Sequence, residues 1–275
     1  MFSNIRNYLR KNKLCIKLYS ILQWHERIYA LKQFLYMDRE MKENDFVLTL
    51  KNGIKIYIPY YKTDLIQKEI ANTKNFYEVE TLNTIFKQSS LYTLKRGIFL
   101  DIGSNIGNHT LYCFSNDLIQ FAYCFEPVQD TFQILQKNIS INNLQNKVKL
   151  FNVGVGETQG KAQIKSYNIN NTGSSQLKIT NDGNIPIISI DDIKFEQNIS
   201  FVKIDVEGFE LNVIKGMFNT IKTHKPTIFI EIRNQFFNEI NKYLQDLGYK
   251  HIRIDNEIDN EICNYLFFTT DNIQK

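Results

Sequence analysis

The 275-residue sequence lacks a strong excess of either charge. Its 33 lysines and arginines exceed its 29 acidic residues by only four, and the basic residues are dispersed along the chain. A protein whose main partner is nucleic acid usually carries a concentrated basic patch. The composition therefore argues against nucleic acid as a partner.

Clustered cysteine is absent as well. The four cysteines form neither a C-x-x-C pair nor a group with histidine; they are Cys15, Cys113, Cys124 and Cys263. Isolated cysteines favour neither a disulfide framework nor a structural zinc site. We expect reduced thiols.

Long apolar runs are also missing, since none approaches the ~18 residues of a membrane-spanning helix. Residues 1–17 are basic and contain no acid, as at the start of a signal peptide, but Lys17, Gln23 and residues 25–27 interrupt the apolar residues that follow. We therefore expect a cytoplasmic protein.

Leucine and isoleucine recur at helical spacing between residues 14 and 35, which predicts an amphipathic helix. Packing on the main domain is the favoured role, and peripheral contact with an anionic membrane at its inner face is the alternative.

The sequence predicts a segment over residues 1–45 and one domain over residues 46–275. The domain opens with a hairpin in residues 46–60, because two β-rich runs flank Asn52-Gly53, which is typical of a tight turn. Residues 65–88 predict one helix. Residues 167–184 are rich in Asn, Ser and Gly and predict a loop that could cover an acceptor.

Strand-like and helix-like segments then alternate. Strands are predicted over 97–101, 119–125, 148–153, 187–190, 201–204 and 227–230, and helices over 130–142, 210–221 and 236–247. Such alternation implies right-handed crossovers. The predicted fold class is α/β, with a doubly wound, mainly parallel sheet.

Asp101 begins the motif DIGSNIGNHT, which lies where the first strand of the sheet turns into a helix. Gly103 and Gly107 allow the backbone to approach a ligand closely. Dinucleotide-binding folds place glycine first in this turn, because the pyrophosphate needs an uncharged surface. An aspartate instead suits a cofactor whose polar end carries an ammonium and a sulfonium, as in S-adenosylmethionine. A tight turn without a ligand is the simpler alternative.

Glu126 ends the second strand, in the triplet Phe125-Glu126-Pro127. A carboxylate at this place can accept hydrogen bonds from both ribose hydroxyls of a nucleoside cofactor. The alternative is that Glu126 only caps the following helix.

A second group of charges lies in Lys203-Ile-Asp205-Val-Glu207-Gly. Lys203, Asp205 and Glu207 alternate, which places them on one side of an extended strand end. Three charges cannot be buried together without partners. We therefore favour a ligand site over a structural ion pair, and Glu231 ends the neighbouring strand at the same edge. A divalent cation shared by Asp205 and Glu231 is a less favoured alternative, and no metal site is predicted.

These motifs resemble the FkbM-type methyltransferases from about Tyr77 to Glu231. The matching residues are Asp101 to Gly107, Phe125-Glu126-Pro127, Asn138, Asn142, Val153 to Gly156, Gly160, Ser189 to Asp192, Lys203 to Glu210 and Gly216. Ser104 and Gly154 stand where the family usually has alanine. Tyr77 and Glu78 match a family position near the cofactor entrance.

The resemblance implies a class I, Rossmann-like methyltransferase that uses S-adenosyl-L-methionine to methylate an oxygen of a sugar, glycan or similar small acceptor. The predicted catalytic residues are Asp205 and Glu207, beside the methyl group, and His109, which follows the glycine loop and could be a base, although a histidine at a helix start is more often structural. The implied cofactor-binding residues are Asp101, Gly103, Ser104, Asn105, Gly107, Glu126, Pro127, Asn152, Val153 and Asp205. An NAD-dependent oxidoreductase and a non-catalytic binding module remain the alternatives, and the oligomeric state stays open.

Overall fold

The computed structural model describes residues 47–89, 97–166, 175–255 and 261–269. The amphipathic helix predicted in residues 1–45 lies outside these ranges, so its packing and its membrane contact stay predictions. Within the described ranges, no helix combines the length and the hydropathy that crossing a bilayer requires.

The described residues form thirteen strands and seven α-helices. The strands are β1 (Val47–Thr49), β2 (Lys55–Tyr57), β3 (Ile98–Ile102), β4 (Phe121–Phe125), β5 (Val148–Phe151), β6 (Gly154–Val155), β7 (Gly160–Ser166), β8 (Gln176–Ile179), β9 (Ile185–Ile188), β10 (Ile199–Ile204), β11 (Thr227–Arg233), β12 (Tyr249–Arg253) and β13 (Ile262–Thr269). The helices are α1 (Leu65–Thr73), α2 (Val79–Ser89), α3 (Asn108–Ser115), α4 (Gln129–Ile141), α5 (Glu210–Gly216), α6 (Phe218–His224) and α7 (Asn234–Asp246).

The central sheet has seven strands in the order β12-β13-β11-β10-β3-β4-β5. The five strands from β11 to β5 are parallel, and β13 and β12 continue the sheet with antiparallel pairings. The chain runs outward from β3 through β4 to β5 and then returns to place β10 on the other side of β3. This reversal creates a switch point between β3 and β10, and ligands of open α/β sheets bind at the carboxyl ends of strands there.

The central strands are buried on both faces. Phe99 and Phe201 belong to one hydrophobic cluster, whereas their neighbours Leu100 and Val202 belong to a cluster on the other face. Continuous apolar runs are what a parallel sheet covered by helices requires. The prediction of a doubly wound, mainly parallel α/β sheet is confirmed.

The leading hairpin is also confirmed, with β1 and β2 antiparallel and Gly53 in the turn at φ 86°. Helix α4 holds this hairpin with two asparagine side chains one turn apart. Asn138 Oδ1 accepts from Tyr57 N at 2.5 Å, and Asn142 Oδ1 accepts from Lys55 N at 3.0 Å. Each side-chain amide also donates to the carbonyl of the same hairpin residue. The two asparagines thus bond the free edge of β2 as a neighbouring strand would.

Two predicted helices are each divided in two. Residues 65–88 form α1 and α2, because the chain turns between Lys74 and Glu78, which have φ values of 53° and 51°. Residues 210–221 form α5 and α6, which meet at Met217.

The predicted loop over residues 167–184 is wrong in part. Residues 176–179 form β8, which joins β6, β9 and β7 in a second sheet of order β6-β9-β7-β8. Residues 167–174 lie outside the described ranges. The strand predicted over 187–190 is β9, which belongs to this second sheet and not to the parallel one. Strands β6, β7, β12 and β13 were not predicted.

Candidate active site

A cleft opens at the carboxyl ends of β3, β4, β10 and β11, beside the switch point. Its walls include seven of the predicted site residues along the cofactor motifs and the charged segment, namely Gly103, Ser104, Asn105, Glu126, Asp205, Glu207 and His109. Pro127 and Val153 also line it, whereas Asp101, Gly107 and Asn152 do not. The structure therefore brings most of the predicted residues to one place.

Gly103 is required by packing within the protein. Its φ is 75°, and a Cβ atom on it would lie 1.8 Å from the backbone oxygen of Asp205. The loop after β3 and the chain after β10 therefore touch at this glycine. The sequence argument expected the glycine to admit a ligand, and the structure gives a different reason for it.

Asp101 lies behind the cleft wall and is completely buried. Thr110 Oγ1 donates to its Oδ2 at 2.6 Å, and Lys203 Nζ lies 3.8 Å from its Oδ1. Burial raises the pKa of Asp101, and Lys203 opposes that rise. Direct contact with a bound cofactor, as the sequence argument assumed, is not what these contacts favour. A role in cofactor binding would instead act through Lys203 and the loop.

Lys203 is the charged centre of this region and is only 2% exposed. Its Nζ donates to Gly103 O at 2.5 Å and lies 3.3 Å from Asp205 Oδ2. Burial alone would lower the pKa of Lys203, but Asp205 and Asp101 outweigh burial and the pKa is raised. The ammonium therefore stays charged and ties three segments together. Lys203 belongs to the charged segment but is not among the predicted site residues.

Glu126 is 6% exposed and lines the cleft at the end of β4. Its Oε2 accepts from Asn105 N and its Oε1 from Val128 N, both at 2.9 Å. The bond to Val128 lies at the start of α4, so the capping interpretation holds in part. Burial raises the pKa of Glu126 to about 7, against these two hydrogen bonds. Each oxygen keeps a lone pair for a further donor.

Asn152 supports this region from outside the cleft. Its Nδ2 donates to Glu126 O at 2.8 Å and to Pro127 O at 3.3 Å. A Cβ atom at Gly154 would meet Leu177 of β8 at 3.1 Å and Pro127 at 3.9 Å. Leu177 also lines the cleft. Part of the predicted loop, residues 176–179, therefore lies beside the Glu126 side of the cleft. It does so because these residues form strand β8, which the sequence did not predict.

The opposite side of the cleft is acidic. Oxygens of Asp205, Glu207 and Glu231 lie within 4.8 Å of one another. Strand β10 ends at Ile204, and Glu207 has φ 53°. The predicted alternation along an extended strand is therefore wrong, because a turn rather than a strand gathers these carboxylates.

The carboxylates differ in their partners. Arg233 Nη2 donates to Glu207 Oε2 at 3.1 Å, and Lys203 pairs with Asp205. Burial, with Asp205 and Glu207 adding like charge, raises the pKa of Glu231 to about 8. The three oxygens are close enough to share a cation, but two of the three carboxylates already face a cationic side chain.

His109 is the second residue of α3 and lines the cleft, with its ring centroid 6.3 Å from that of Phe229. Burial, with a smaller contribution from the Lys203 charge, lowers the pKa of His109 well below 6.5. The imidazole is therefore neutral at neutral pH, and the lowered pKa makes it a weak proton acceptor.

Tyr77 and Glu78 form a wall between α1 and α2. Asn108 fixes this wall to the loop after β3, because its Oδ1 accepts from Tyr77 N at 2.9 Å and its Nδ2 donates to Tyr77 O at 3.1 Å. Burial raises the pKa of Glu78, and Asp205 contributes to the rise. Glu78 therefore belongs to the acidic side of the cleft.

The motif Ser189 to Asp192 lies away from the cleft. Asp191 accepts from Thr220 N at 2.8 Å and from Asn219 N at 3.0 Å, which caps α6. Ser189 Oγ donates to Gly216 O at 2.7 Å. These residues of the family pattern are structural.

The polar groups that line the cleft fit a nucleoside cofactor with a cationic end. Glu126 offers carboxylate oxygens at one side, and Asn105, which also lines the cleft, has a buried Oδ1 with no partner among the described residues. Asp205 and Glu231 offer negative charge at the other side. A bound S-adenosylmethionine could place its ribose hydroxyls at Glu126, after β4, and its sulfonium near Asp205 and Glu231, at the ends of β10 and β11.

Comparison with known proteins gives a family match that includes most of the cleft residues. The model of the methyltransferase FkbM domain matches residues 101–251. The hexuronic acid methyltransferase AglP of Haloferax volcanii is 30% identical over 129 residues, which cover 46% of this chain and 52% of AglP. Methyltransferase 1 of Beauveria bassiana is 24% identical, over 43% of this chain and 57% of its own length. The chain thus spans about half the length of the curated relatives it matches.

A solved structure gives a weaker likeness. The FkbM methyltransferase of Methylobacillus flagellatus is similar at 18% identity and a TM-score of 0.49, over 76% of this chain and 57% of that one. The assignment of the fold rests on the strand order.

Proposed function

The chain belongs to the FkbM methyltransferase family, whose domain model matches more than half of it, and on this basis we propose that it is an S-adenosylmethionine-dependent O-methyltransferase. The observation that carries the proposal is Glu126, a buried carboxyl that nevertheless lines the cleft at the end of β4. A carboxylate there binds the ribose hydroxyls of a nucleoside. A carboxylate that binds ribose would also suit NAD, so the family match is what favours S-adenosylmethionine over the oxidoreductase and binding-module hypotheses.

Residues on two sides of the cleft would hold the cofactor. Glu126 and Asn105 would bind the ribose, while Pro127, Val153 and Leu177 would enclose the adenine side. When bound, the cofactor supplies a methyl group on a sulfonium, which is already activated for transfer. The protein mainly has to orient the acceptor oxygen, exclude water and remove one proton.

Asp205 is the best placed group for this proton. It lies at the cleft surface, and its side chain is 37% exposed. Lys203 holds its carboxylate in place from behind. Glu231 and Glu207 lie beside it and would bind neighbouring hydroxyls of the acceptor, and His109 offers a second, neutral proton acceptor.

A hydroxyl of a sugar, of a glycan or of a similar small molecule is the proposed acceptor. Carboxylates that surround one surface point are suited to accept hydrogen bonds from several hydroxyls of one ring. The name of the Haloferax volcanii relative, which describes a methyltransferase of a hexuronic acid, supports a sugar acceptor. The cytoplasmic location stays a prediction from the sequence.

Isothermal titration calorimetry tests the proposal. The full chain should bind S-adenosylmethionine and not NAD. Glu126→Ala should weaken that binding by about 1.5–3 kcal/mol, because hydrogen bonds to a charged acceptor are lost. Asp130→Asn is the matched control, since Asp130 is an exposed acid on α4 outside the cleft. Tight binding of NAD, or equal effects of the two substitutions, would contradict the proposal.

A further inference from the structure

A turn between β10 and α5 presents Asp205 and Glu207 to the cleft. Strand β10 ends at Ile204, and α5 begins at Glu210. Two consecutive residues of this turn have positive φ values, which are 53° at Glu207 and 100° at Gly208. Glycine adopts such values readily, but a glutamate rarely does, so contacts with the surrounding structure must hold Glu207 there.

The backbone of the turn is fixed at both of its ends. At the first end, Asp205 N donates to Ile102 O at 3.1 Å. At the second end, Gly208 N donates to Oε1 of the buried Glu210 at 2.6 Å. These two bonds hold the backbone, but they leave the direction of the Glu207 side chain open.

Arg233 contacts both of the residues with positive φ. It is the last residue of β11, and its Nη2 donates to Glu207 Oε2 at 3.1 Å. A Cβ atom on Gly208 would lie 3.1 Å from Arg233 Nε and 3.6 Å from Arg233 Cδ. The arginine side chain therefore lies against the open face of this glycine and covers the turn where its backbone is least usual.

Strand β11 explains the place of Arg233. Successive side chains of a strand point to opposite faces, so Glu231 and Arg233 leave the strand on the same face. Glu231 lines the cleft and has an oxygen within 4.8 Å of oxygens of Asp205 and Glu207. Arg233 is not among the residues that line the cleft. It therefore reaches Glu207 from outside the cleft.

The pair of Arg233 and Glu207 is largely shielded from water. The side chains are 27% and 18% exposed, so solvent screens this pair less than an ion pair at the surface. Burial raises the pKa of Glu207, the charge of Asp205 adds to the rise, and Arg233 opposes it. Arg233 therefore favours the ionised form of the carboxyl that it contacts.

We propose that Arg233 is a positioning residue, which holds Glu207 and Gly208 at their positive φ values and thereby directs the Glu207 carboxyl into the cleft. This inference rests on the proposed function, in which Glu207 binds a hydroxyl of the acceptor. Without Arg233, the turn would relax toward ordinary φ values and the carboxyl would lose its fixed direction. Acceptor binding would weaken, whereas the proposed cofactor contacts at Glu126 and Asn105 lie elsewhere in the cleft.

Hydrogen exchange of the full chain tests the effect on the turn. Arg233→Met removes the guanidinium, and Arg233→Lys keeps the charge but not the planar group that covers Gly208. We expect amide exchange in residues 205–209 to become about tenfold faster in both variants. Arg253→Met is the matched control, since Arg253 pairs with Asp255 at the end of β12 and does not line the cleft. Unchanged exchange in both Arg233 variants overturns the proposal.

Steady-state kinetics separates positioning from a merely structural role. The acceptor probes are the methyl glycosides of glucose, galactose, glucuronic acid and galacturonic acid, with S-adenosylmethionine as the methyl donor. With the probe that the unmodified chain methylates best, Arg233→Met should raise the acceptor KM about tenfold and change kcat less than about threefold, because a contact made in both the ground state and the transition state is lost. Cofactor affinity should stay the same. A lower melting temperature with an unchanged KM would show a structural role and overturn the proposal.

A double variant tests whether Arg233 acts through Glu207. Glu207→Gln alone should raise the acceptor KM about as much as Arg233→Met does. Combining the two changes should add little, because both remove the same contact with the acceptor. Fully additive effects would assign Arg233 a separate role and overturn the proposal.

Failure of this inference is distinguishable from failure of the proposed function. A chain that does not bind S-adenosylmethionine loses the proposed function, and the exchange rates still report whether Arg233 holds the turn. A chain that methylates a glycoside equally well with and without Arg233 keeps the methyltransferase function and loses only this inference.

Discussion

Lys203 Nζ donates a hydrogen bond to Gly103 O at 2.5 Å. The bond joins β10 to the loop after β3 at the switch point of the sheet. It follows from the strand register, in which Lys203 pairs with Asp101. The buried ammonium therefore has two roles: it links β10 to the loop after β3, and it pairs with the carboxylate of Asp205.

Replacing this ammonium should unfold the protein readily. Lys203→Met leaves Asp101 and Asp205 without their cation, and breaking a buried pair of this kind costs about 3–5 kcal/mol. Denaturant unfolding of the full chain measures the loss. Lys215→Met is the control, because Lys215 pairs with Glu239 at the surface, where an ion pair contributes about 1 kcal/mol or less. Similar losses in both variants would contradict the central role of Lys203.

Asp205→Asn should lower turnover about 100-fold or more while largely keeping cofactor affinity, since it removes the proposed proton acceptor. Melting temperature and single-turnover methyl transfer are measured on one preparation. Asp192→Asn, an exposed acid that accepts from Gln159, should change neither. Normal turnover with a lower melting temperature would show that Asp205 is a structural partner of Lys203. The proton acceptor would then be Glu207, His109 or Glu231.

Cofactor binding should depend on pH through Glu126. Its pKa of about 7 in the free protein means that the carboxyl is partly protonated at neutral pH. Ribose hydroxyls donate to the ionised form, so the association constant should fall as the pH drops below about 7, by up to tenfold per pH unit. Calorimetry between pH 5.5 and pH 8.5 measures the slope. Glu126→Gln should flatten it, whereas Glu196→Gln, an exposed acid, should not; a slope retained in Glu126→Gln assigns the titration to another group.

Stability of the free protein should depend on pH through Glu231. Its pKa is raised from the ordinary 4.5 to about 8 in the folded chain. A carboxyl raised on folding stabilises the protein below its unfolded pKa, and this contribution is lost as the pH rises through the folded value. The melting temperature should therefore decline between about pH 5 and pH 8. Glu231→Gln should show a shallower decline and, at pH 8, a melting temperature a few degrees above that of the unmodified chain; an equal decline in both would remove Glu231 as the cause.

Asn138 should be essential for the hairpin. It is fully buried and bonds both backbone groups of Tyr57 as well as Ile106 O. Asn138→Ala leaves these groups unpaired and should destabilise the protein by about 3 kcal/mol. Gln136→Ala, an exposed amide on the same helix, should cost little. Chemical denaturation compares the two, and equal stabilities would contradict the anchoring role.

The sequence was sufficient for the elements that are buried on both faces. Strands β3, β4 and β10 were predicted within two residues of their observed ends, because an apolar run in a parallel sheet admits few alternatives. Strands β12 and β13 were missed because polar and charged residues such as Lys250, His251 and Asn264 interrupt them. Strand β13 is held by pairing with β11, and β12 by pairing with β13; the local sequence pattern does not report the contact between β13 and the distant β11.

The site was predicted in its residues more than in its geometry. Asp101 lies within β3, paired with Cys124 of β4 and Lys203 of β10, and stays behind the cleft wall, whereas Glu126 follows the last residue of β4 and lines the cleft. The meeting of Asp205 with Glu231 follows from the register, since the last pairs of β10 and β11 join Ile204 to Ile230. The contact of Asn108 with Tyr77 depends on a turn in the chain that the expected single helix concealed.

That contact has a mechanical consequence. Tyr77 lines the cleft beside its acidic side. Asn108, the first residue of α3, forms two hydrogen bonds with the backbone of Tyr77. Any widening of the entrance at this wall must strain or break those bonds. The wall at Tyr77 and the start of the helix after the glycine loop are therefore mechanically coupled. A movement of the entrance should shift the segment that holds the cofactor, and a movement of that segment should shift the entrance.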